Sequence, residues 1–366
     1  MYPPDRSRSC AVICEYNPFH HGHAYQLNEL KKTYGTVICI LGGNLTQRGE
    51  PAVADRFVRA RAAVACGADL VLELPLPWCC ASASDFARGG VSVASRIGAD
   101  ALAFSAERSE EDLRAAAEKR DAGEESLREM LKQHVPYPQA VENLTGLPLK
   151  DRPNSILALE YLRFTGSLPV TVVRRNPEFL SSSAIRASSD PASLLPDAAA
   201  DVLRTDPSFP RKSAEADPLL IGILRNEFPN GCYAVPPELH AAIGRVLPDC
   251  SSVAELTDAV KGKMFTSARI RRALWASALR ITPDCAKEVP PYTLLLAAND
   301  AGCAFLKHYR GSLPVISRPA EGKDDPVFRL NLRANRMLGA VYGGPDDLRR
   351  VPYFSAPDSG ADKRKE

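Results

Sequence analysis

Up to about residue 175 the chain alternates between two textures. Short apolar runs rich in β-branched residues are CAVICEY (10–16), TVICILGG (36–43), ADLVLELP (68–75), ADALAFSAE (99–107) and LPVTVVRR (168–175). Between them lie stretches of helical period: HAYQLNELKKT (23–33), DRFVRARAAVAC (55–66), SDFARGGVSVASRIG (84–98) and SILALEYLRF (155–164). In the second of these Phe57, Ala60 and Val64 form the apolar stripe, and Gly98 is placed to cap the third. Runs that are apolar throughout, instead of alternating, mark strands buried on both faces. Separated by helices, they predict an α/β domain with a doubly wound parallel sheet. Such sheets take ligands beyond the carboxyl ends of their strands, where the strand order reverses.

The alternation is interrupted at 108–150, where closely mixed charges at helical spacing predict a solvated helical insertion. From about 187 the texture changes. A stretch rich in Pro, Ser, Ala and Asp (191–217) reads as a linker with one short helix. Beyond it come helical patterns at 218–228, 237–247, 252–262, 267–280 and 293–309, a short strand in LPVISRP and a final helix in FRLNLRANRMLGAVYG. The expected organisation is therefore a catalytic α/β domain at 9–190, a linker at 191–217, and a mostly helical domain at 218–366.

Composition narrows the class. The chain has 366 residues, 45% hydrophobic and 25% charged, with a formal net charge of +2. That is an ordinary soluble balance, so any nucleic-acid surface must be a local patch. No run approaches the roughly 18 apolar residues of a membrane span, and the N-terminus lacks a secretory pattern. The ten cysteines are scattered without a C-x-x-C. They read as free, buried thiols of a cytoplasmic protein, not as a zinc site.

Candidate chemistry concentrates in EYNPFHHGHAYQL (15–27), which holds three of the six histidines. Zinc ligation on a helix would favour i, i+4 histidines with a nearby acid, and these are absent. Histidines capping a turn are a second reading. Phosphate chemistry is the third: Gly22 permits unusual backbone angles and close ligand approach. The following helix aims free N–H groups into the loop. Imidazoles there could stabilise charge developing in a transition state. The pattern H-x-G-H after strand one of an α/β domain resembles the signature of the nucleotidylyl transferase superfamily, which has a HUP-like Rossmann fold. Its second signature, S-S/T-x-x-R, is matched by LSSSAIRA (180–187), with Ser182 among the hydroxyls and Arg186 as a planar fork for phosphates.

More closely, EYNPFHHGH, GGNLTQRGEPAV, GADLVLELP and RPNSILALEYL resemble, in order and spacing, the bacterial tRNA(Met) cytidine acetate ligase family. The resemblance is close over 9–190 and looser beyond. It implies activation of acetate by ATP to acetyl-adenylate, then acetyl transfer to N4 of the wobble cytidine of elongator tRNA(Met). It implies His20, His23 and Arg186 as catalytic residues. The ATP site would be the loop Ile13, Cys14, Glu15, Tyr16, Asn17, Pro18, Phe19 and Gly22, with Ser105, Asn154, Arg174, Arg175 and Ser182. Mg²⁺ would bridge phosphates, although the sequence shows no carboxylate cage. Three places depart from the family. His21 stands where it has Asn, Ser105 where it has a glycine near the nucleotide, and LLLAAND replaces an Arg- and Leu-bearing segment.

For RNA the sequence offers Gln47 and Arg48 in the loop after strand two, and Lys261, Lys263, Arg269 and Arg272 in or near one basic helix. The first could be an ordinary βα loop and the second a solvated helix face; a tRNA substrate favours phosphate contacts. Asp85 and Glu107 fit capping as well as catalysis. Two other functions fit the same residues: a nucleotidylyltransferase or acid–amine ligase acting on a small metabolite, and a non-catalytic RNA-binding protein.

Overall fold

The computed structural model describes residues 5–133, 135–149, 152–262 and 264–355. The first half runs β1 (Asp5–Cys14), α1 (His21–Lys31), β2 (Tyr34–Gly42), α2 (Arg56–Ala65), β3 (Leu70–Leu74), α3 (Ala83–Arg96) and β4 (Ala101–Ala106). The charged insertion follows as α4 (Glu110–Ala122), α5 (Glu124–Lys132) and α6 (Tyr137–Thr145), before α7 (Pro153–Phe164), β5 (Val170–Arg174) and α8 (Ser182–Arg186). These five strands are parallel, in the order β5-β4-β1-β2-β3. Their residues are buried almost throughout in β2, β3 and β4, so helices cover both faces, as continuous apolar runs require. The chain winds outward from β1 to β3 and then returns to place β4 on the other side of β1. The switch point thus lies between β1 and β4.

Local sequence sets the helix ends. Asp55 caps α2 by accepting from the Phe57 N–H at 2.9 Å, and Ser82 and Ser109 cap α3 and α4. Gly98 follows α3 with φ +78°, the left-handed position that the sequence assigned to it. The insertion buries Leu113, Ala116, Leu127, Ala140 and Val141 and keeps most of its charges outward, Arg120 being buried and paired with Glu124.

The remainder comprises α9 (Asp197–Leu203), α10 (Asp217–Asn226), α11 (Pro237–Val246), α12 (Val253–Val260), α13 (Ser267–Ala278), α14 (Pro283–Lys287), β6 (Thr293–Ala298), α15 (Asp300–Lys307), β7 (Val315–Ile316), α16 (Pro326–Tyr342) and β8 (Tyr353–Phe354). Two expectations need correction. The segment 293–309 was expected as one helix; its first part is β6, which pairs antiparallel with β3, Leu70 opposite Ala298. An apolar run such as TLLLAA fits a buried strand as well as a helix by pattern alone, and the open edge of β3 decides it. The described residues of 218–366 are mostly helical and also add three strands to the sheet of the first half. The stretch 191–217 also does more than link. Ala199, Ala200 and Leu203 of α9 are buried, and α9 packs on α2. No helix of the described residues is long and apolar enough to cross a membrane.

Candidate active site

A cleft of about 540 Å³ opens at the carboxyl ends of β1 and β4, at the switch point. It is lined by Ile13, Cys14, Glu15, Tyr16, Asn17, His20, Gly22 and His23 from the β1–α1 connection, Gln47 and Arg48 after β2, and Ser105 on β4. Asn154 of α7, Arg175 after β5, and Ser182 and Arg186 of α8 complete the polar rim. Phe86, Phe104, Leu157 and Tyr161 form an apolar wall. Segments 160 residues apart in sequence thus meet in one concavity (His23 and Ser183 both line it).

The two signature histidines are fixed by the helix they start. His20 is the N-cap of α1 and its Nδ1 accepts from the Gly22 N–H at 3.1 Å. The His23 Nδ1 accepts from the His20 N–H at 3.2 Å, closing a reciprocal cap. The rings stack with centroids 3.7 Å apart. Each Nδ1 is an acceptor, so the proton of each neutral ring sits on Nε2. Burial, with Arg175 and His21 nearby, lowers the His20 pKa to about 4. Burial, with His20, pushes His23 well below its usual range. The cleft therefore holds two neutral Nε2–H donors at neutral pH. Both histidines do cap the turn, and the caps leave each Nε2–H free to donate. His21 is exposed. Gly22 lies within α1 and does not use a left-handed angle, contrary to the expectation. What it supplies is room: a Cβ there would sit 3.0 Å from His20 Cε1 and 3.4 Å from Phe179 Cβ.

Arg186 donates through Nη1 to the Asn17 carbonyl at 2.7 Å and through Nη2 to Ser183 Oγ at 3.3 Å. Burial and the adjacent Arg48 lower its pKa. A guanidinium whose charge is disfavoured by a cationic neighbour is an attractive seat for an anion. Ser181 caps α8, accepting from the Ala184 N–H at 3.2 Å.

On the other side of the cleft, Glu107 at the end of β4 gathers four donors. It accepts from Ser155 Oγ at 2.6 Å, Ser155 N at 2.9 Å, Asn154 Nδ2 at 3.0 Å and Arg175 Nη1 at 3.1 Å. Those bonds outweigh partial burial and hold its carboxyl below the usual range. Glu107 does not line the cleft; it fixes Asn154 and Arg175, which do. Arg59, inside α2, was not singled out by sequence. It donates to the carbonyls of Glu15, Gly42, Gly43 and Ala54, tying together the carboxyl ends of β1 and β2. Full burial lowers its pKa to about 10. The signal was present: an arginine among the alanines of an apolar helix must spend its donors on something buried.

Other expected residues lie elsewhere. Pro18 and Phe19 are buried behind the loop, Phe19 packed against Tyr16 with ring centroids 4.8 Å apart. Arg174 is exposed on β5 and does not line the cleft, whereas Arg175, just past the strand, does. The basic helix α13 is divided. Arg272 donates to the Gln47 carbonyl at 2.8 Å, and Arg271 pairs with Glu50, so these two hold the loop after β2. Arg272 is thus a structural contact, not a free phosphate ligand. Lys261 and Arg269 are exposed, and Lys263 lies outside the described residues. LLLAAND is β6 from Leu294 onward, then Asn299, which caps α15 by accepting from the Gly302 N–H at 3.0 Å, and Asp300, the first residue of α15. Asp85 accepts from Tyr233 and Ser82, a capping arrangement.

Comparison with known proteins places the chain in a family. The HIGH Nucleotidyl Transferase family model matches residues 7–347. A tRNA(Met) cytidine acetate ligase of Syntrophotalea carbinolica is 33% identical over 96% of this chain and 98% of its own length. One from Thermoanaerobacter sp. is 31% identical over 90% and 94%. A crystal structure of Thermotoga maritima TmcAL bound with alpha-thio ATP matches with a TM-score of 0.85 at 26% identity, covering 95% of this chain and 99% of that one. The chain belongs to the HIGH nucleotidyl transferase family and, within it, to the tRNA(Met) cytidine acetate ligases.

Proposed function

We propose that this enzyme uses ATP to activate acetate and transfers the acetyl group to N4 of the wobble cytidine of elongator tRNA(Met). Acetate oxygen attacks the α-phosphorus, and pyrophosphate leaves. The cytidine amine then attacks the acetyl carbonyl, and AMP leaves. The observation that carries this reading is the pair of neutral, cap-locked imidazoles that line one cleft with Arg186. Preorganised donors of this kind stabilise charge on transferring phosphates without reorganising during reaction. Asn154 and Arg175, fixed by Glu107, would hold the nucleotide from the β4 side, beside Ser105. Ser182 and Arg186 would hold the phosphates that become pyrophosphate. Mg²⁺ entering with the nucleotide would supply charge neutralisation to the phosphates. Glu15 is the one carboxylate among the described lining residues, so phosphate oxygens and water would supply most ligands. Arg48, Lys261 and Arg269, all exposed, are the candidate contacts to tRNA phosphates. The wobble base must be splayed out to enter the cleft.

The test is to incubate the protein with ATP and radiolabelled acetate, with and without bulk tRNA. Label in the cytidine of tRNA(Met) supports the proposal. Acetyl-adenylate that never reaches RNA points to a small-molecule acceptor. Neither product, with tRNA still bound, leaves the RNA-binding reading.

A further inference from the structure

Glu15 presents an electrostatic puzzle. It stands at the carboxyl end of β1 and lines a cleft whose other charged residues suit a triphosphate. A carboxylate there repels the nucleotide, and burial sharpens the repulsion. It is nevertheless held firmly. Its main-chain carbonyl accepts from Arg59 at 2.5 Å, and its Oε1 accepts from the Gln47 N–H at 2.7 Å. The groups facing it are Arg59 on α2, Arg48 in the loop after β2, and Arg186 on α8. Cys79 and Cys80 after β3 and Tyr161 on α7 are its titratable neighbours. Burial raises its carboxyl above the ordinary value, and the Gln47 bond and the three arginines restrain the rise.

The second chemical step has one proton to dispose of. The bond from N4 to the acetyl carbon forms, the bond from that carbon to the phosphate oxygen of AMP breaks, and N4 releases a proton. The other lining groups are poor acceptors for it. Both histidines spend Nδ1 on the α1 cap and carry hydrogen on Nε2. Arg48, Arg175 and Arg186 only donate. Seryl and amide groups are not bases at neutral pH, and burial pushes the Tyr161 phenol up. We infer that Glu15 is the base that takes the proton from the acceptor amine during acyl transfer. This rests on the acyl-adenylate reading above. It gives the two ends of one loop opposite duties: the histidines donate in the activation step, and Glu15 accepts in the transfer step.

The experiment separates the steps. Glu15→Gln keeps an oxygen for the Gln47 N–H, so the loop retains its anchor. Acetate-dependent exchange of pyrophosphate into ATP, measured in the same variant, is the reference for the activation step, and any loss in transfer is read relative to it. Single-turnover transfer to saturating tRNA should fall by about 10²–10⁴-fold, the usual worth of a general base. In the parent the transfer rate should rise with pH as Glu15 ionises, and that rise should be absent from Glu15→Gln. Glu15→Asp retains the carboxylate and should recover part of the rate and the pH limb. Transfer that is unchanged in Glu15→Gln overturns the assignment, as does equal loss of exchange and transfer. Failure of the acetate reading is distinguishable: the parent chain itself would then show no acetate-dependent exchange.

Discussion

At the scale of single residues, the site depends on side chains held by their own backbone. His20 and His23 are the clearest case, because each cap bond that starts α1 also chooses a tautomer. In ¹⁵N NMR of the ligand-free protein both rings should appear as the Nε2–H tautomer at neutral pH, with His20 titrating near pH 4. His23→Ala should lower acetyl-adenylate formation by about 10²–10³-fold, the cost of losing one preorganised donor, while tRNA binding persists. Glu107 makes the complementary prediction. Glu107→Gln puts an amide opposite four donors and should cost about 1.5–3 kcal/mol of ATP binding, the worth of charged hydrogen bonds, read as a raised KM for ATP. The sign of its pH effect follows from its depressed carboxyl. Its stabilising contribution is complete above the unfolded carboxylate range and is lost as pH falls through the lower folded value. In thermal melts across that acid range, Glu107→Gln should lose stability less steeply than the parent. Both signatures, H-x-G-H and S-S-x-I-R, were legible because each acts within a few residues. Arg59 and Glu107 were not, because their partners lie 44 and 48 residues away in the chain.

At the scale of elements, the sequence revealed the five parallel strands and most helices, since continuous apolar runs and helical periodicity are local signals. It did not reveal β6, whose identity comes from a partner strand more than 200 residues earlier. Nor could it say which face of α13 was free. That helix abuts the loop after β2 at Gly49, where φ is +72° and an added Cβ would lie 2.6 Å from the Arg272 N. Only glycine meets both demands without strain. Arg271 and Arg272 then fasten the loop from the α13 side through Glu50 and the Gln47 carbonyl. Gln47 in turn anchors Glu15, so α13 reaches the cleft through one hydrogen-bonded chain. Arg272→Ala should therefore reduce catalysis more than tRNA affinity, whereas Arg269→Ala, at an exposed position, should do the reverse. Filter binding beside single-turnover kinetics distinguishes the two. Equal loss of tRNA affinity in both variants would return α13 to the role of a uniform phosphate-binding face. Gly49→Ala should cost about 1–3 kcal/mol in a denaturant melt, as a residue forced into a left-handed angle does.

At the scale of the whole molecule, the first half and the C-terminal segments are joined by a buried polar network, which no local pattern announces. Arg56 is 1% exposed and pairs with Glu73 of β3 at 2.9 Å and with Asp347 at 2.8 Å. Asp347 also accepts from Asn335 of α16 at 2.8 Å. Asn335 accepts from Asn44, whose own carbonyl oxygen accepts from the Arg56 N–H at 2.7 Å. Asp55 receives both Nη groups of Arg350, at 2.7 and 3.1 Å. Its main-chain N–H donates to Asp206, which pairs with Arg211. Residues from 44 to 350 thus share one set of charges, centred beside the loop that carries Gln47 and Arg48. Charges withdrawn from water are tolerated only while every partner is present. Asp347→Ala would leave the Arg56 guanidinium half paired and Asn335 without its acceptor. It should cost about 3–5 kcal/mol, the usual result of breaking a buried pair. The exposed pair Arg204–Asp201 supplies the contrast: Asp201→Ala should change stability by less than about 1 kcal/mol, since solvent screens both charges. Thermal melts of both variants measure the difference. A cost for Asp347→Ala as small as for Asp201→Ala would mean that the C-terminal segment is held by its strand pairing and apolar contacts alone. If the cost is large, the loop around Asn44 loosens with it, and acetate-dependent exchange should fall at temperatures below the melt. Activity then reports the network before unfolding does, because the same bonds that close the molecule also position the cleft.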